Sequence, residues 1–198
     1  TALTGANPAR LHLLAKGGDK AVVLTDDDWQ SRDARSTAKA LVAQLSSMNA
    51  DVVFMGRVAT DRDNAAVGPM VSTYLGWPCV TDVIGLEIAD GKGSAKVETD
   101  AGIETVEFQL PAVITCQKGL NEPRTAGLKG IMAAKKKPVD TVTVADLGLE
   151  AATVGQAAAW SAVEDFAARP PKPAGTVVTD EGDGGSRIAA FLTEQKFI

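Results

Sequence analysis

The sequence predicts an α/β fold in which helices cover a mostly parallel sheet. Two short strands that are apolar throughout, Ala21–Leu24 and Val52–Met55, flank an amphipathic helix. Strands that are apolar on both faces, in a strand–helix–strand order, are typical of parallel sheets covered by helices. The chain has 198 residues, 45% of them apolar and 23% charged, which fits one domain or one domain with an arm.

The composition excludes several classes of protein. Twenty basic against 25 acidic side chains give a formal charge of −5, whereas general affinity for nucleic acid needs an excess of Lys and Arg. No apolar run approaches the roughly 18 residues that a membrane-spanning helix needs. The single histidine, His12, lies in a mostly apolar helix and is expected to be structural. The two cysteines form no Cys-x-x-Cys or His/Cys cluster, which excludes a structural zinc site and a thioredoxin-type site.

Helix boundaries are marked in the N-terminal half. After a β-type run at residues 1–4, a helix is predicted to begin at Pro8 with Asn7 as its N-cap and to end at Gly17. Between Arg32 and Met48, apolar residues recur at spacings of three and four, which predicts one buried helical stripe.

The middle of the chain changes to an antiparallel pattern. Strands are predicted at 82–88, 94–98 and 106–110, with Gly91–Gly93 as the turn between the first two. The third strand alternates strictly between apolar and polar residues, so one of its faces is expected to be buried and the other exposed. An apolar strand at 112–115 then returns the chain to the main sheet.

A polar, charged loop, Gly56–Pro69, directly follows the second apolar strand. In parallel sheets ligands bind beyond the carboxyl ends of the strands, so this loop is the first candidate site. We expect Asn64 to cap the helix that contains Met70–Leu75, whose free first-turn amides would suit a phosphate. The loop is neither a Walker A motif nor Gly-x-Gly-x-x-Gly, and a plain surface connection remains an alternative.

The stretch Asn121–Pro138 sets an apolar residue, Leu128, among polar residues and glycines and continues into Lys135–Lys137 on a short helix. The lysines fit a solvated helix end that complements the helix dipole. They equally fit a docking surface in which charge surrounds an apolar anchor. Composition alone does not separate these two interpretations.

Two neighbouring segments, Leu120–Arg124 and Leu128–Pro138, resemble the signature region of the electron transfer flavoprotein β subunit family. The resemblance implies a Rossmann-like fold that binds an adenine nucleotide, and an electron carrier subunit without catalytic residues or a metal. It also implies structural AMP on this chain and the redox FAD mainly on an α subunit. Further segments that fit the family are Gly17–Ala21, Gly76–Pro78, Leu110–Thr115 and Asp146–Gly148.

The resemblance also implies which residues form the sites. Backbone amides near residues 65–67 are expected to meet the phosphate, and Asp61 and Asp63 to serve ribose hydroxyls or the loop itself. Leu128 is expected to anchor a partner dehydrogenase. The cofactor-binding residues are expected to be Gly56, Arg57, Val58, Ala59, Thr60, Asp61, Arg62, Asp63, Asn64, Ala65, Ala66 and Val67. The docking residues are expected to be Arg124, Leu128, Lys135, Lys136 and Lys137.

The implied organisation is a nucleotide-binding domain over residues 1–150, N-terminally incomplete, and a C-terminal arm over 151–198 that contacts the α subunit. A helix is expected at 186–196. The implied partners are acyl-CoA-type dehydrogenases and a downstream quinone oxidoreductase, in a bacterial cytoplasm or a mitochondrial matrix.

Two alternatives stay open. The chain could be an electron-bifurcating subunit with its own FAD at the nucleotide site, a reading that Val67–Pro69 favours slightly, or a nucleotide-binding module without a redox role. Arg62 and Ala66 stand where the family commonly has other residues, and Arg62 would either bind a phosphate or crowd a dinucleotide. Thr125 replaces the usual tyrosine of the docking loop, and 98–102 lacks an Arg-Glu pair common in the family.

Overall fold

The computed structural model describes residues 8–26, 32–172, 174–175 and 177–198. The chain forms two compact units, Thr1–Ala162 and Val163–Ile198. Residues 151–162 belong to the first unit by their contacts, so the units divide later than the predicted start of the arm at 151. The β-type run at 1–4 and the N-cap Asn7 lie outside the described residues.

The predicted helices and strands are present with small shifts of their ends. In the described part of the second unit the chain forms helix α6 (Gly184–Glu194), two residues earlier than predicted. The elements of the first unit are α1 (Pro8–Ala15), β1 (Ala21–Thr25), α2 (Ala34–Leu45), β2 (Val52–Gly56), α3 (Val67–Leu75), β3 (Cys79–Ala89), β4 (Lys92–Thr99), β5 (Gly102–Gln109), β6 (Ala112–Cys116), α4 (Leu128–Ala134), β7 (Val139–Thr143), α5 (Ala151–Val154) and a 3₁₀ turn (Gln156–Ala158).

The strands form two sheets. One pairs β1 with β7 in parallel, and the other has the order β2-β6-β3-β4-β5. In the larger sheet β2, β6 and β3 are parallel, whereas β3, β4 and β5 are antiparallel. The predicted α/β fold with a mostly parallel sheet and an antiparallel excursion is therefore confirmed.

The five-stranded sheet has an apolar core on each face. On one face Val53 and Val113 pack with Ala38 of α2 and Val71 of α3. On the other, Ile114 packs with residues of β3, β4 and β5. The ring of Phe108 lies over Gly93, where a Cβ atom would collide with it, so glycine at position 93 makes room for an aromatic residue on the neighbouring strand.

Local chemistry explains where several elements end. Gly17 follows α1 with φ +127°, a conformation that glycine adopts without strain. The helix predicted from Arg32 begins at Ala34 because the Asp33 side chain caps it, accepting a hydrogen bond from the Ser36 amide. Asp90 and Gly91 both have positive φ, as a type I′ hairpin turn requires. The hairpin is therefore present, but its turn lies one residue earlier than the predicted Gly91–Gly93, since β4 already begins at Lys92. Among the described helices, none is long and apolar enough to cross a membrane.

Candidate functional site

A cavity of about 270 Å³ lies beyond the carboxyl end of β2, between the start of α2 and the loop that leads to α3. Nine of the twelve residues predicted for the cofactor site line it; Thr60, Asp61 and Asp63 do not. The α2 side of the wall was not predicted from the sequence, although a capping aspartate at the start of the clearest helix was a signal for it. The lining residues are Arg32, Asp33, Ala34, Thr37, Gly56, Arg57, Val58, Ala59, Arg62, Asn64, Ala65, Ala66, Val67 and Gly68.

The loop between β2 and α3 contains two residues with a left-handed backbone conformation. Asp63 has φ 47° and Ala65 has φ 49°, and the Asp63 amide donates a hydrogen bond of 2.9 Å to the carbonyl of Ala59. Helix α3 then begins at Val67 with Ala66 as N-cap and no side-chain cap. The prediction that Asn64 caps this helix is wrong, because the left-handed turn at Ala65 separates Asn64 from the helix start. Asn64 lines the cavity instead.

The first turn of α3 is open to an anion. No side chain caps its amides, and Val67 and Gly68 line the cavity. A Cβ on Gly68 would lie 2.5 Å from Cγ2 of Thr115, so only glycine lets the helix start come this close to β6. Uncapped amides at a helix N-terminus bind phosphates and carboxylates.

Three arginines line the cavity, and each of them forms a hydrogen bond or an ion pair with other residues of the protein. The buried Arg32 donates from Nε to the carbonyl of Val154 at 2.6 Å and lies 2.6 Å from the Asp26 carboxylate. Arg57 donates from Nε to Asp82. Arg62 donates to the backbone carbonyl of Arg32 at 3.4 Å, which ties the loop to the start of α2.

Asp33 joins the cavity wall to residues 154–160. One carboxylate oxygen accepts the Ser36 amide at 2.8 Å, and the other accepts the Trp160 amide at 2.7 Å. Partial burial alone would raise the pKa of Asp33, but hydrogen bonds from Ser36, Trp160 and Ser161 together outweigh it and lower the pKa. Arg35 adds a hydrogen bond of 3.3 Å to Ala158, and its guanidinium lies 3.9 Å from the centre of the Trp160 ring.

Asp33→Ala is expected to lower the free energy of unfolding at neutral pH by about 1–2 kcal/mol, because the α2 cap is lost. The folded-state pKa lies below the unfolded value of 3.8, so the ionised group stabilises the fold above that pH. The stabilisation is lost as the pH falls through the folded-state pKa. Urea unfolding at several pH values should therefore show the two proteins converging in acid. The exposed Asp51→Ala serves as control, and a constant difference from wild type at every pH would contradict this role of Asp33.

The segment singled out for docking is partly structural. Leu128 is the first residue of α4 and is 77% exposed, as its small neighbours predicted, and Met132 is 55% exposed on the same helix. Lys137 donates from Nζ to the carbonyls of Leu14 at 3.1 Å and Gly18 at 2.6 Å. This lysine binds the end of α1.

The remaining docking candidates surround this contact. The lysines predicted on a short helix follow the end of α4 at Ala134 instead, and Lys135 and Lys136 are exposed in the turn there. Arg124 is also exposed and lies beside Gly17, with a terminal nitrogen 3.2 Å from where a Cβ would be. At Gly130 a Cβ would lie 2.5 Å from the carbonyl oxygen of Ala15, so α4 rests closely on α1. The docking role of these residues stays a prediction.

The fold and the cavity define an α/β protein with a polar cavity at the carboxyl edge of parallel strands, where such proteins commonly bind ligands. Comparison with known proteins identifies the family within this class. The model of the electron transfer flavoprotein domain matches residues 1–147. The electron transfer flavoprotein subunit beta of Mycobacterium tuberculosis is 42% identical over 186 residues, which are 93% of this chain and 70% of the relative.

Two further relatives extend the comparison. The beta subunit of Methylophilus methylotrophus is 39% identical over 153 residues, 76% of this chain and 58% of that protein. The caffeyl-CoA reductase-Etf complex subunit CarD of Acetobacterium woodii is 34% identical over 183 residues, 92% of this chain and 69% of CarD. The chain belongs to the electron transfer flavoprotein family. An electron-transfer role, an alpha subunit as partner and a flavin in the complex follow from that membership.

Proposed function

We propose that this chain holds structural AMP in the cavity and helps pass electrons from a dehydrogenase to the FAD of its alpha subunit. The proposal rests on the cavity, because the uncapped start of α3 and residues of the polar loop 56–67 line it together. Its volume of about 270 Å³ lies just below the range for small-molecule pockets, roughly 300–1,000 Å³. A mononucleotide fits that size better than a dinucleotide such as FAD.

The chemistry of the wall suits the parts of AMP. The amides of Val67 and Gly68 are available to the phosphate. Asp33 also lines the cavity and favours the ionised carboxylate, for which ribose hydroxyls are suitable donors. Asp61 and Asp63 are exposed and outside the lining, which favours the loop-forming role for both and keeps their charge away from the phosphate.

Mass spectrometry of the nucleotide released from the purified complex tests this proposal directly. We expect one AMP for each copy of this chain, beside the FAD of the alpha subunit. Two FAD and no AMP would support the second candidate function, and absence of any nucleotide beyond one FAD would refute the proposed site.

The second candidate is an electron-bifurcating subunit with its own redox FAD at this position. The 34% identity to CarD, a subunit named for a caffeyl-CoA reductase-Etf complex, is the observation that favours it. A yellow colour on the isolated chain would distinguish it from the AMP-binding subunit. Family membership argues against the remaining alternative, a nucleotide-binding module without a redox role.

We infer that Leu128 docks the dehydrogenase, with Arg124, Lys135 and Lys136 around it, and that acyl-CoA-type dehydrogenases and a quinone-linked acceptor are the redox partners. Lys137 has its ammonium on two backbone carbonyls, so its part in docking is to hold α4 in place. The relatives named above are bacterial, which supports a bacterial cytoplasm over a mitochondrial matrix.

The second unit has the surface expected of an arm that wraps onto the alpha subunit. None of its described residues is buried, and the apolar side chains of Ile188 and Phe191 on α6 are 63% and 57% exposed. A helix with an uncovered apolar face gains stability when a partner covers it.

Deleting residues 174–198 is therefore expected to weaken the association with the alpha subunit at least tenfold, because the burial of α6 is lost. Analytical ultracentrifugation of the two subunits measures the change. In the full chain, Ile188→Ser with Phe191→Ser should act in the same direction, and Glu181→Gln before α6 should have no effect. An unchanged dissociation constant after the deletion would contradict the arm.

A further inference from the structure

The charges around the cavity are balanced within the protein. Each of the three arginines in the lining has an aspartate within 4.0 Å, and Asp33 belongs to the lining itself. Each cationic side chain of the lining therefore has a carboxylate of the protein close to it. The pairs are Arg32–Asp26, Arg57–Asp82 and Arg62–Asp61.

An irregularity in β3 positions Asp82 for its ion pair with Arg57. The register between β3 and β6 shifts between Val80 and Val83, and Asp82 within this shift has φ 58°. Its amide donates a hydrogen bond of 3.2 Å to Oγ1 of the buried Thr115, and its carboxylate accepts Nε of Arg57. Irregularities of this kind re-aim a side chain, often beside a functional site.

The pair also orients Arg57. Its backbone amide donates to the carbonyl of Cys116 at 3.2 Å, which fixes the residue just beyond β2. Asp82 occupies Nε, and among the described residues the two terminal nitrogens of Arg57 have no hydrogen-bond partner. A guanidinium presented in this way can donate two parallel hydrogen bonds to a phosphate.

We propose that Asp82 is a specificity-determining residue that limits the cavity to nucleotides with a single phosphate; this inference rests on the proposed nucleotide site. Its carboxylate orients Arg57 and also offsets the charge that Arg57 offers. A phosphate monoester already carries a charge of about −1.5 to −2. Each further phosphate adds negative charge, and every arginine of the lining that could compensate it already has an aspartate of the protein nearby. The wild-type site therefore binds AMP more tightly than ADP.

Asp82→Asn tests this role of Asp82. Asparagine keeps an acceptor oxygen for Arg57 and tolerates the left-handed backbone, so the variant removes mainly the charge. The probes are AMP and ADP, titrated calorimetrically into the nucleotide-depleted complex with the alpha subunit. We expect the affinity for ADP relative to AMP to rise about three- to tenfold, the effect of one nearby charge in a partly solvated site.

Asp140→Asn is the matched control, because it removes the same charge from the Lys20–Asp140 ion pair, which does not line the cavity. An unchanged ADP-to-AMP ratio in Asp82→Asn, or an equal rise in Asp140→Asn, overturns the inference while the nucleotide site stands. Failure of the wild-type complex to bind either nucleotide refutes the proposed site itself. The two failures are therefore distinguishable.

Discussion

Leu128→Ala should slow electron transfer from the partner dehydrogenase about ten- to a hundred-fold at limiting protein concentration, with the fold and the bound nucleotide intact. Burying a leucine is worth roughly 1.5–3 kcal/mol, which corresponds to that change in affinity. In this chain Leu128 is 77% exposed, so its truncation costs little folding energy. Stopped-flow reduction of the flavin at increasing dehydrogenase concentration measures the effect, which should appear as weaker complex formation and not as a changed flavin spectrum.

Ile103→Ala is the matched control for Leu128→Ala. Ile103 is 66% exposed on β5 and has no role in the proposed docking surface, so its truncation should leave the dehydrogenase kinetics unchanged. A melting temperature lowered by many degrees in Leu128→Ala, with wild-type kinetics, would show that Leu128 supports the fold and does not dock a partner.

Gly56→Trp should prevent nucleotide binding without unfolding the chain. Gly56 ends β2 at the cavity, and no atom lies within 4 Å of the position that a Cβ would take. Its backbone is not in the left-handed region, so a larger residue fits without strain, and an indole would take up space that the ligand needs. Nucleotide content by mass spectrometry and thermal unfolding of the same preparation measure the two effects.

Gly127→Trp is the control for Gly56→Trp, since Gly127 also has open space around it and lies outside the cavity lining. This control should keep a full content of nucleotide. A Gly56→Trp complex that retains all its AMP would place the nucleotide elsewhere.

The α/β class and the position of the cavity followed from local patterns in the sequence, whereas the strand order did not, because β1 and β2 lie in different sheets. Apolar strands, an amphipathic helix and a polar loop directly after Met55 are sufficient to place a ligand site beyond β2. The resemblance to the family then selected loop 56–67, and the structure puts nine of its residues on the cavity wall. Here local composition and tertiary position agree because a strand and the loop after it are contiguous.

The features of the site that the sequence did not predict depend on contacts between residues distant in the chain. Asp33 reaches Trp160, and Lys137 reaches Leu14 and Gly18, across more than a hundred residues of chain. No periodicity encodes such partners, so the lysine cluster looked uniform in the sequence although its third member binds α1. The Asn64 prediction failed for a different reason, because asparagine is a good capping residue only where the backbone lets it lie next to the helix start.

The two-stranded sheet of β1 and β7 can form only late in the synthesis of the chain. Ala21 pairs with Val139 and Thr25 with Thr143, so β1 leaves the ribosome long before the strand that completes this sheet. Contacts this distant in sequence slow folding, because a long loop must close before they form. During synthesis the edge of β1 that β7 later covers is open to other chains, and a chaperone or rapid synthesis of residues 26–138 would protect it.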